Sequence, residues 1–149
     1  MTLTYDSVVI GGGAAGLTTA GISANFGAKT LMIEQDKLGG DCTWTGCVPS
    51  KTLLQAAKVL HNARNASTYG LSLTVDKENT TNVLAHVDRI RREIYEDADR
   101  PEIFEEMGIE VLQGLARFKD DHTIQIESND GSTKEVTGKY IFICSGANP

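Results

Sequence analysis

"VVIGGGAAGLTTAGISANFGAKTLMIE", Val8 to Glu34, is the stretch whose reading decides the fold. Val8, Val9 and Ile10 form a short, wholly apolar run, the kind buried on both faces of a parallel sheet. Three glycines follow at once, and then a run of small residues predicts a helix over about Ala14 to Asn25, closed near Gly27. A second apolar strand, Thr30 to Ile33, ends in Glu34. Strand, helix and strand in this order make a crossover unit, which joins parallel neighbours in an α/β sheet.

The glycines carry chemistry as well as geometry. Gly11-Gly12-Gly13-Ala14-Ala15-Gly16 satisfies G-x-G-x-x-G. The pattern alone is weak, but here it follows a buried strand, opens a helix and precedes an acid at the end of the next strand, which is the context a dinucleotide site requires. Gly11 allows the turn, Gly13 leaves room for a pyrophosphate to approach the backbone, and Gly16 lets the helix pack on the sheet. The helix start, at Ala14 and Ala15, offers unpaired N–H groups and partial positive charge to phosphates. Glu34 can accept hydrogen bonds from ribose hydroxyls and disfavours a 2'-phosphate. The alternative is a glycine-rich turn that binds nothing. The motif by itself does not separate FAD from NAD.

Outward from this unit, the apolar positions Leu53, Leu54, Ala57 and Leu60 recur at helical spacing and predict a helix ending before Gly70. Residues 72–81 read as a polar connector. From Asn82 to Met107 a second helical pattern is predicted to break at Arg100-Pro101, because the residue before proline avoids helical dihedrals. After Gly108, "IEVLQGLARF", "TIQIES" and "KEVTGKYIFICSG" read as strands between turn residues. Tyr140 to Cys144 is apolar throughout and is expected to be a buried sheet strand.

The whole-chain numbers agree with one domain. The chain has 149 residues, 40% hydrophobic and 23% charged, which is the profile of a soluble globular protein. A net charge of -6 and the lack of a basic cluster argue against nucleic-acid or anionic-membrane partners. No signal sequence or membrane-length apolar run is visible, so a cytoplasmic location is expected.

Two of the three cysteines lie close together in "GGDCTWTGCVPSK", Gly39 to Lys51. A structural zinc site needs about four ligands, usually as two close pairs. Only Cys144 remains, and His61, His86 and His122 are scattered without zinc-like spacing. A structural staple across so short a loop would constrain little unfolded-chain entropy. A short loop does hold two sulfurs ready for reversible exchange. Gly46 allows a bend, and Pro49 suits the first turn of a helix, so Cys47 is expected near a helix N-terminus, a position that favours thiolate. Lys51 follows it by one turn on the same face. Trp44 reads equally as a shaper of substrate access and as a packed aromatic. Cys144 reads as a buried, inert thiol.

On these residues the chain resembles the pyridine nucleotide-disulfide oxidoreductases, whose members include mercuric reductase, dihydrolipoamide dehydrogenase and glutathione reductase. "GGDCTWTGCVPSK" resembles their redox-active disulfide motif, and the valine of "GCVPSK" is most like the mercuric reductase branch. "GLARF", Gly114 to Phe118, resembles the segment that meets the adenine, and "CSGANP" the segment that closes on the flavin side. The resemblance implies an α/β, Rossmann-like FAD-binding domain in three layers, a parallel sheet plus a β-meander, incomplete at its C-terminus. It implies Cys47 as the flavin-proximal thiol and Cys42 as the interchange thiol. It implies cofactor contacts from Gly11, Gly13, Ala14, Ala15, Gly16, Glu34, Gly40, Asp41, Lys51, Leu115, Ala116, Ser145 and Gly146. Asp41 departs from the family's usual threonine, and "TWT" from its usual "LNV"-like segment.

The family also uses a second dinucleotide unit for NAD(P)H and a C-terminal dimerisation domain with a His-Glu pair. Neither pattern occurs in this sequence, so residues 1–149 are expected to be the first segment of a discontinuous FAD domain. The implied function is a FAD-dependent disulfide oxidoreductase in a full-length, homodimeric form, with a small disulfide or a metal ion as substrate. The alternatives are a stand-alone FAD-binding or thiol-redox module without reductase turnover, and a small NAD-binding protein with an incidental cysteine pair.

Overall fold

The computed structural model describes residues 3–75 and 82–147. The chain divides into two compact units: Met1–Gly40 with Asp97–Pro149, and Asp41–Glu96 between them.

The first unit is built on the crossover. Strand β1 (Leu3–Ile10), helix α1 (Ala14–Asn25) and strand β2 (Thr30–Glu34) follow one another as the sequence predicts. After the excursion through the second unit come helix α5 (Pro101–Glu106) and strands β3 (Ile109–Gln113), β4 (Leu115–Phe118), β5 (Thr123–Glu127) and β6 (Thr133–Ile143). They form one six-stranded sheet in the order β3-β2-β1-β6-β5-β4. The pairs β3–β2, β2–β1 and β1–β6 are parallel, whereas β6–β5 and β5–β4 are antiparallel.

Two apolar layers explain this arrangement. On one face of the parallel strands Val8, Leu31 and Ile33 pack with Ile124, Ile126 and Val136 of the antiparallel meander. On the other, Val9, Met32 and Ile109 pack against Ala20 of α1 and Phe104 of α5. Alternate residues of a strand point to opposite faces, so the consecutive apolar residues Val8, Val9 and Ile10 of β1 and Leu31, Met32 and Ile33 of β2 require cover on both sides. The result is three layers: helices, parallel strands and meander. With its parallel strands and crossover helix, this is a Rossmann-like α/β fold.

Two predicted strands come out differently. "IEVLQGLARF" breaks into β3 and β4 at Gly114, where a methyl group would lie 2.7 Å from the Glu127 carbonyl oxygen and 2.8 Å from the Ile126 side chain. The chain turns there from the parallel strands into the meander. The C-terminal half of β6 does hydrogen-bond to β1, with Val8 opposite Ile141, but it is not the buried strand its composition suggests. Tyr140 is 59% exposed and Ile143 69%. Phe142 lies opposite Val9, and so on the helix side of the sheet. Phe142 is nevertheless exposed and is not part of the core that α1 and α5 form on that face.

The second unit is helical. It holds Asp41–Trp44 of the short helix α2 (Gly40–Trp44), then α3 (Cys47–Arg64), a 3-10 turn at Ala66–Tyr69 and α4 (Val83–Ile94). The predicted helix before Gly70 is therefore α3 with its 3-10 extension. The predicted helical stretch after Asn82 divides into α4, a π-helical turn at Tyr95–Asp99 and α5, which begins at Pro101. Of the predicted connector, 72–75 has no regular structure, and 76–81 lies outside the described residues.

Candidate functional site

In the first unit the glycine turn is held by contacts no side chain would survive. Gly11 donates its N–H to the Ile33 carbonyl at 2.8 Å. Its φ of 105° belongs to the left-handed side of dihedral space, which glycine enters at no steric cost. A methyl group on Gly16 would lie 1.8 Å from the Gly11 carbonyl oxygen, so α1 seats directly on the turn that precedes it. Gly40 is glycine for a reason the sequence does not display: a methyl group there would lie 2.7 Å from the Gly13 α-carbon. Gly13 itself has open space where a side chain would stand, with only Gly40 nearby at 3.8 Å. Ala14 and Ala15 are the first two residues of α1 and are exposed. Their N–H groups belong to the first turn, which has no carbonyl acceptor within its own helix.

Glu34 is fixed from both sides. One carboxylate oxygen accepts the Gly12 N–H at 2.6 Å, and the other accepts the Asp36 N–H at 2.9 Å. The acid at the end of β2 is thus tied back to the glycine turn, with further lone pairs left to accept hydroxyl donors. Beside it lies a cavity of about 130 Å³. Gly11, Glu34, Leu115, Ala116 and Ser145 line it, five of the positions singled out in the sequence. Ile10, Ile33, Gln35 and Gly114 complete the wall, and sequence reasoning assigned none of these four a contact. The signal for Ile10, Ile33 and Gln35 was adjacency to the motifs, whereas Gly114 opens the "GLARF" segment itself. The Cys144 N–H donates to the Ile10 carbonyl at 2.7 Å, which brings Ser145 to the end of β1. Cys144 is half-buried against the helix-side core. Gly146 is exposed at φ 68° and is not among the residues of this wall.

The second unit carries the cysteine pair. Cys42 lies in α2 and is half-buried; Cys47 is the first residue of α3 and is exposed. The turn between the pair is drawn tight by one acceptor. The Asp41 carbonyl takes the N–H of Thr45 at 3.0 Å and that of Gly46 at 2.5 Å. A methyl group on Gly46 would lie 2.9 Å from that same oxygen, so this glycine is needed for close approach and not for a positive φ. The Asp41 carboxylate accepts the Thr45 hydroxyl at 3.2 Å, so the residue that departs from the family pattern has a donor within its own turn. Lys51 stands one helical turn after Cys47 and is exposed like it.

Helix α4 grips this turn. Arg91 donates to the Trp44 carbonyl at 2.7 Å and also pairs with Asp88. The Trp44 ring lies 5.2 Å from that of Tyr95, tilted by 52°. Trp44 is therefore a packed aromatic within this unit. Neither arginine nor tyrosine was visible as a site residue in the sequence, because both lie more than forty positions from the cysteines.

Among the described residues no three potential ligands gather as a metal site, and no helix is long and apolar enough to cross a membrane. His61 and His86 lie on exposed helix surfaces, and a His122 ring nitrogen lies 3.0 Å from the Gly138 carbonyl.

Comparison with known proteins bears on both units. The family described as "Pyridine nucleotide-disulphide oxidoreductase" matches residues 5–149. The chain is 34% identical to a mercuric reductase of Staphylococcus aureus over 149 residues, covering 97% of this chain and 25% of that protein. It is 30% identical to a mercuric reductase of Lysinibacillus sphaericus, covering 97% of this chain and 26% of that protein. It is 33% identical to a dihydrolipoamide dehydrogenase of Chaetomium thermophilum, covering 95% of this chain and 28% of that protein. The chain thus spans between a quarter and a third of the length of these relatives. By this match over nearly its whole length, together with the Rossmann-like fold of its first unit, the chain belongs to the pyridine nucleotide-disulfide oxidoreductase family.

Proposed function

We propose that residues 1–149 are the N-terminal segment of a FAD-binding domain, and that Cys42 and Cys47 are its redox-active pair. The full-length protein would be a homodimeric, cytoplasmic reductase, electrons passing between NAD(P)H and this pair, with nicotinamide and dimerisation domains supplied by further sequence. The observation that carries the reading is the conjunction of a complete glycine turn locked to Glu34 with a tight cysteine turn, in a chain that matches the family from Tyr5 onward.

The residues of the first unit fit FAD. Gly13 and Gly40 present backbone without side chains, as a pyrophosphate needs. The start of α1 presents unpaired N–H groups at Ala14 and Ala15, and Gly11 and Gly16 hold that start in place. Glu34 presents a fixed carboxylate to a ribose, and the wall formed by Leu115, Ala116 and Ser145 offers apolar and hydroxyl surface to the rest of an adenosine moiety. Asp41, Lys51 and Gly146 are proposed as further contacts. When bound, FAD supplies two-electron transfer between a nicotinamide and a disulfide.

The chemistry assigned to this chain's own residues is thiol exchange. With a disulfide substrate, the Cys42 thiolate attacks one sulfur and releases the other as a thiol. Cys47 then attacks Cys42, releases the second thiol, and leaves the Cys42–Cys47 disulfide to be reduced again. The names of the relatives support two substrate classes, a disulfide and mercuric ion.

The test is a dithionite titration of the protein supplied with FAD, followed by visible absorbance. Bound flavin and a long-wavelength band on two-electron reduction are expected. Cys47→Ser should abolish that band while retaining flavin. Folded protein that fails to take up FAD, or a band that survives Cys47→Ser, would overturn the assignment.

A further inference from the structure

We propose that Arg91 is a positioning residue for the cysteine pair: by holding the Trp44 carbonyl it keeps the Cys42–Cys47 turn in the conformation that closes the disulfide. The proposal rests on the reading of these two cysteines as a redox pair.

From within, the turn is held by bonds to Asp41, from the Thr45 and Gly46 N–H groups and the Thr45 hydroxyl. Helix α2 runs for only five residues, too short to be stable alone. Its C-terminal carbonyls lack helical donors, as at any helix end. Arg91 places a guanidinium N–H on the last of these carbonyls, that of Trp44, at 2.7 Å. A charged donor makes a stronger bond than a neutral one, and positive charge suits a helix C-terminus. The same guanidinium is held by Asp88, three residues earlier on α4. A second contact from the same helical stretch, Tyr95 against Trp44, fixes the side chain of the residue whose carbonyl Arg91 holds.

The arginine itself is not placed cheaply. Its Nε is buried and makes no hydrogen bond among the described residues. A buried donor without a partner costs free energy, and a residue retained for surface charge alone would not need to sit this way. Trp44 lies between the two cysteines in sequence, so fixing its backbone and its ring restricts the segment that joins them. Restricting the dithiol to conformations near closure raises the effective concentration of one sulfur at the other, which favours the disulfide.

The experiment measures the equilibrium with glutathione in this chain. Two cysteine thiols and oxidised glutathione give the intramolecular disulfide and two reduced glutathiones, so two electrons and two protons pass to glutathione. Arg91→Met is expected to lower this equilibrium constant about tenfold, equivalent to about 30 mV for a two-electron couple. Arg91→Lys, which keeps a cationic donor, should recover part of the loss. Val87→Ala removes buried volume from the same helix while retaining the Arg91 side chain; it should lower thermal stability and leave the constant unchanged. An Arg91→Met constant equal to wild type, or a Val87→Ala constant that falls as far, would overturn the positioning role. If wild type fails to form the Cys42–Cys47 disulfide at all, as read by peptide mass, the redox reading falls and the proposal falls with it. An unchanged Arg91→Met constant with the disulfide intact removes only the proposal.

Discussion

The two units use their apolar residues in opposite ways. In the first, Val8, Val9, Leu31, Met32, Ile124 and Val136 are fully buried, each covered by a layer on its own side of the sheet. In the second, none of the eighteen residues of α3 is buried, and Leu54 is 69% exposed. The glycine turn therefore sits on a packed core, whereas the cysteines sit on a turn held by a few named contacts. A backbone that must present N–H groups to a phosphate benefits from rigidity. A dithiol that must open and close benefits from local freedom limited by specific restraints. Glycine marks both regions, yet for different physical reasons: strand-to-helix seating at Gly11 and Gly16, and a shared carbonyl acceptor at Gly46.

The comparison can be broken most directly at Gly16. Gly16→Ala forces a methyl group onto the Gly11 carbonyl, and a loss of about 3 kcal/mol or more is expected in urea unfolding. A milder effect there would show that the glycine turn gives way more easily than its packing implies. Next in size, Ile33→Ala opens a cavity in the sheet core and should cost roughly 2 to 5 kcal/mol. The matching change in the second unit, Leu54→Ala, should stay within about 0.5 kcal/mol of wild type, as exposed substitutions do. Equal losses at the two sites would erase the distinction between the units.

A pH-dependent effect sharpens the picture of the first unit. Tyr5 is buried and donates its hydroxyl to Glu110 at 2.6 Å, with Lys134 on the other carboxylate oxygen at 3.2 Å. Burial, then the hydrogen bond to Glu110 and the charge of that carboxylate, push the Tyr5 hydroxyl above its ordinary value. Burial pushes Glu110 up, but the Tyr5 hydroxyl and the Lys134 ammonium outweigh it and hold the carboxyl below its usual range. A depressed carboxyl stabilises the fold above its unfolded value, and the contribution is lost as pH falls through the folded one. Tyr5→Phe should therefore cost about 1 kcal/mol near neutral pH, with the gap narrowing as Glu110 protonates. Urea midpoints at pH 7 and pH 3 measure this, and a gap that widens in acid would contradict the assignment.

The crossover was legible in the sequence because its determinants are local. Three consecutive glycines between a wholly apolar strand and a run of small residues leave few alternatives, and α1 spans the predicted Ala14–Asn25. Gly11, Glu34, Leu115, Ala116 and Ser145 could be placed by motif, and the fold brings them to one cavity. What stayed hidden depends on distance. Gly40 is required by Gly13, and Arg91 acts on Trp44; neither relation has a period or a spacing to betray it. The exposure of Tyr140 and Ile143 was hidden for the converse reason. An apolar run shows that cover is wanted but not which element of the unit provides it.

The pairing of β1 with β6 has a consequence for synthesis. The sheet's central pair joins Leu3–Ile10 to the part of β6 that runs from Val136 to Ile143, 133 residues further along the chain. At roughly 5 to 20 residues per second, a ribosome needs roughly seven to twenty-seven seconds to deliver that partner after β1 has emerged. Through this interval one edge of β1 has no native neighbour. Helices α3 and α4 both precede β6 in the chain, so they emerge and can pack together meanwhile. The part of the chain that carries the cysteines can thus acquire its shape before the sheet beside the glycine turn is completed.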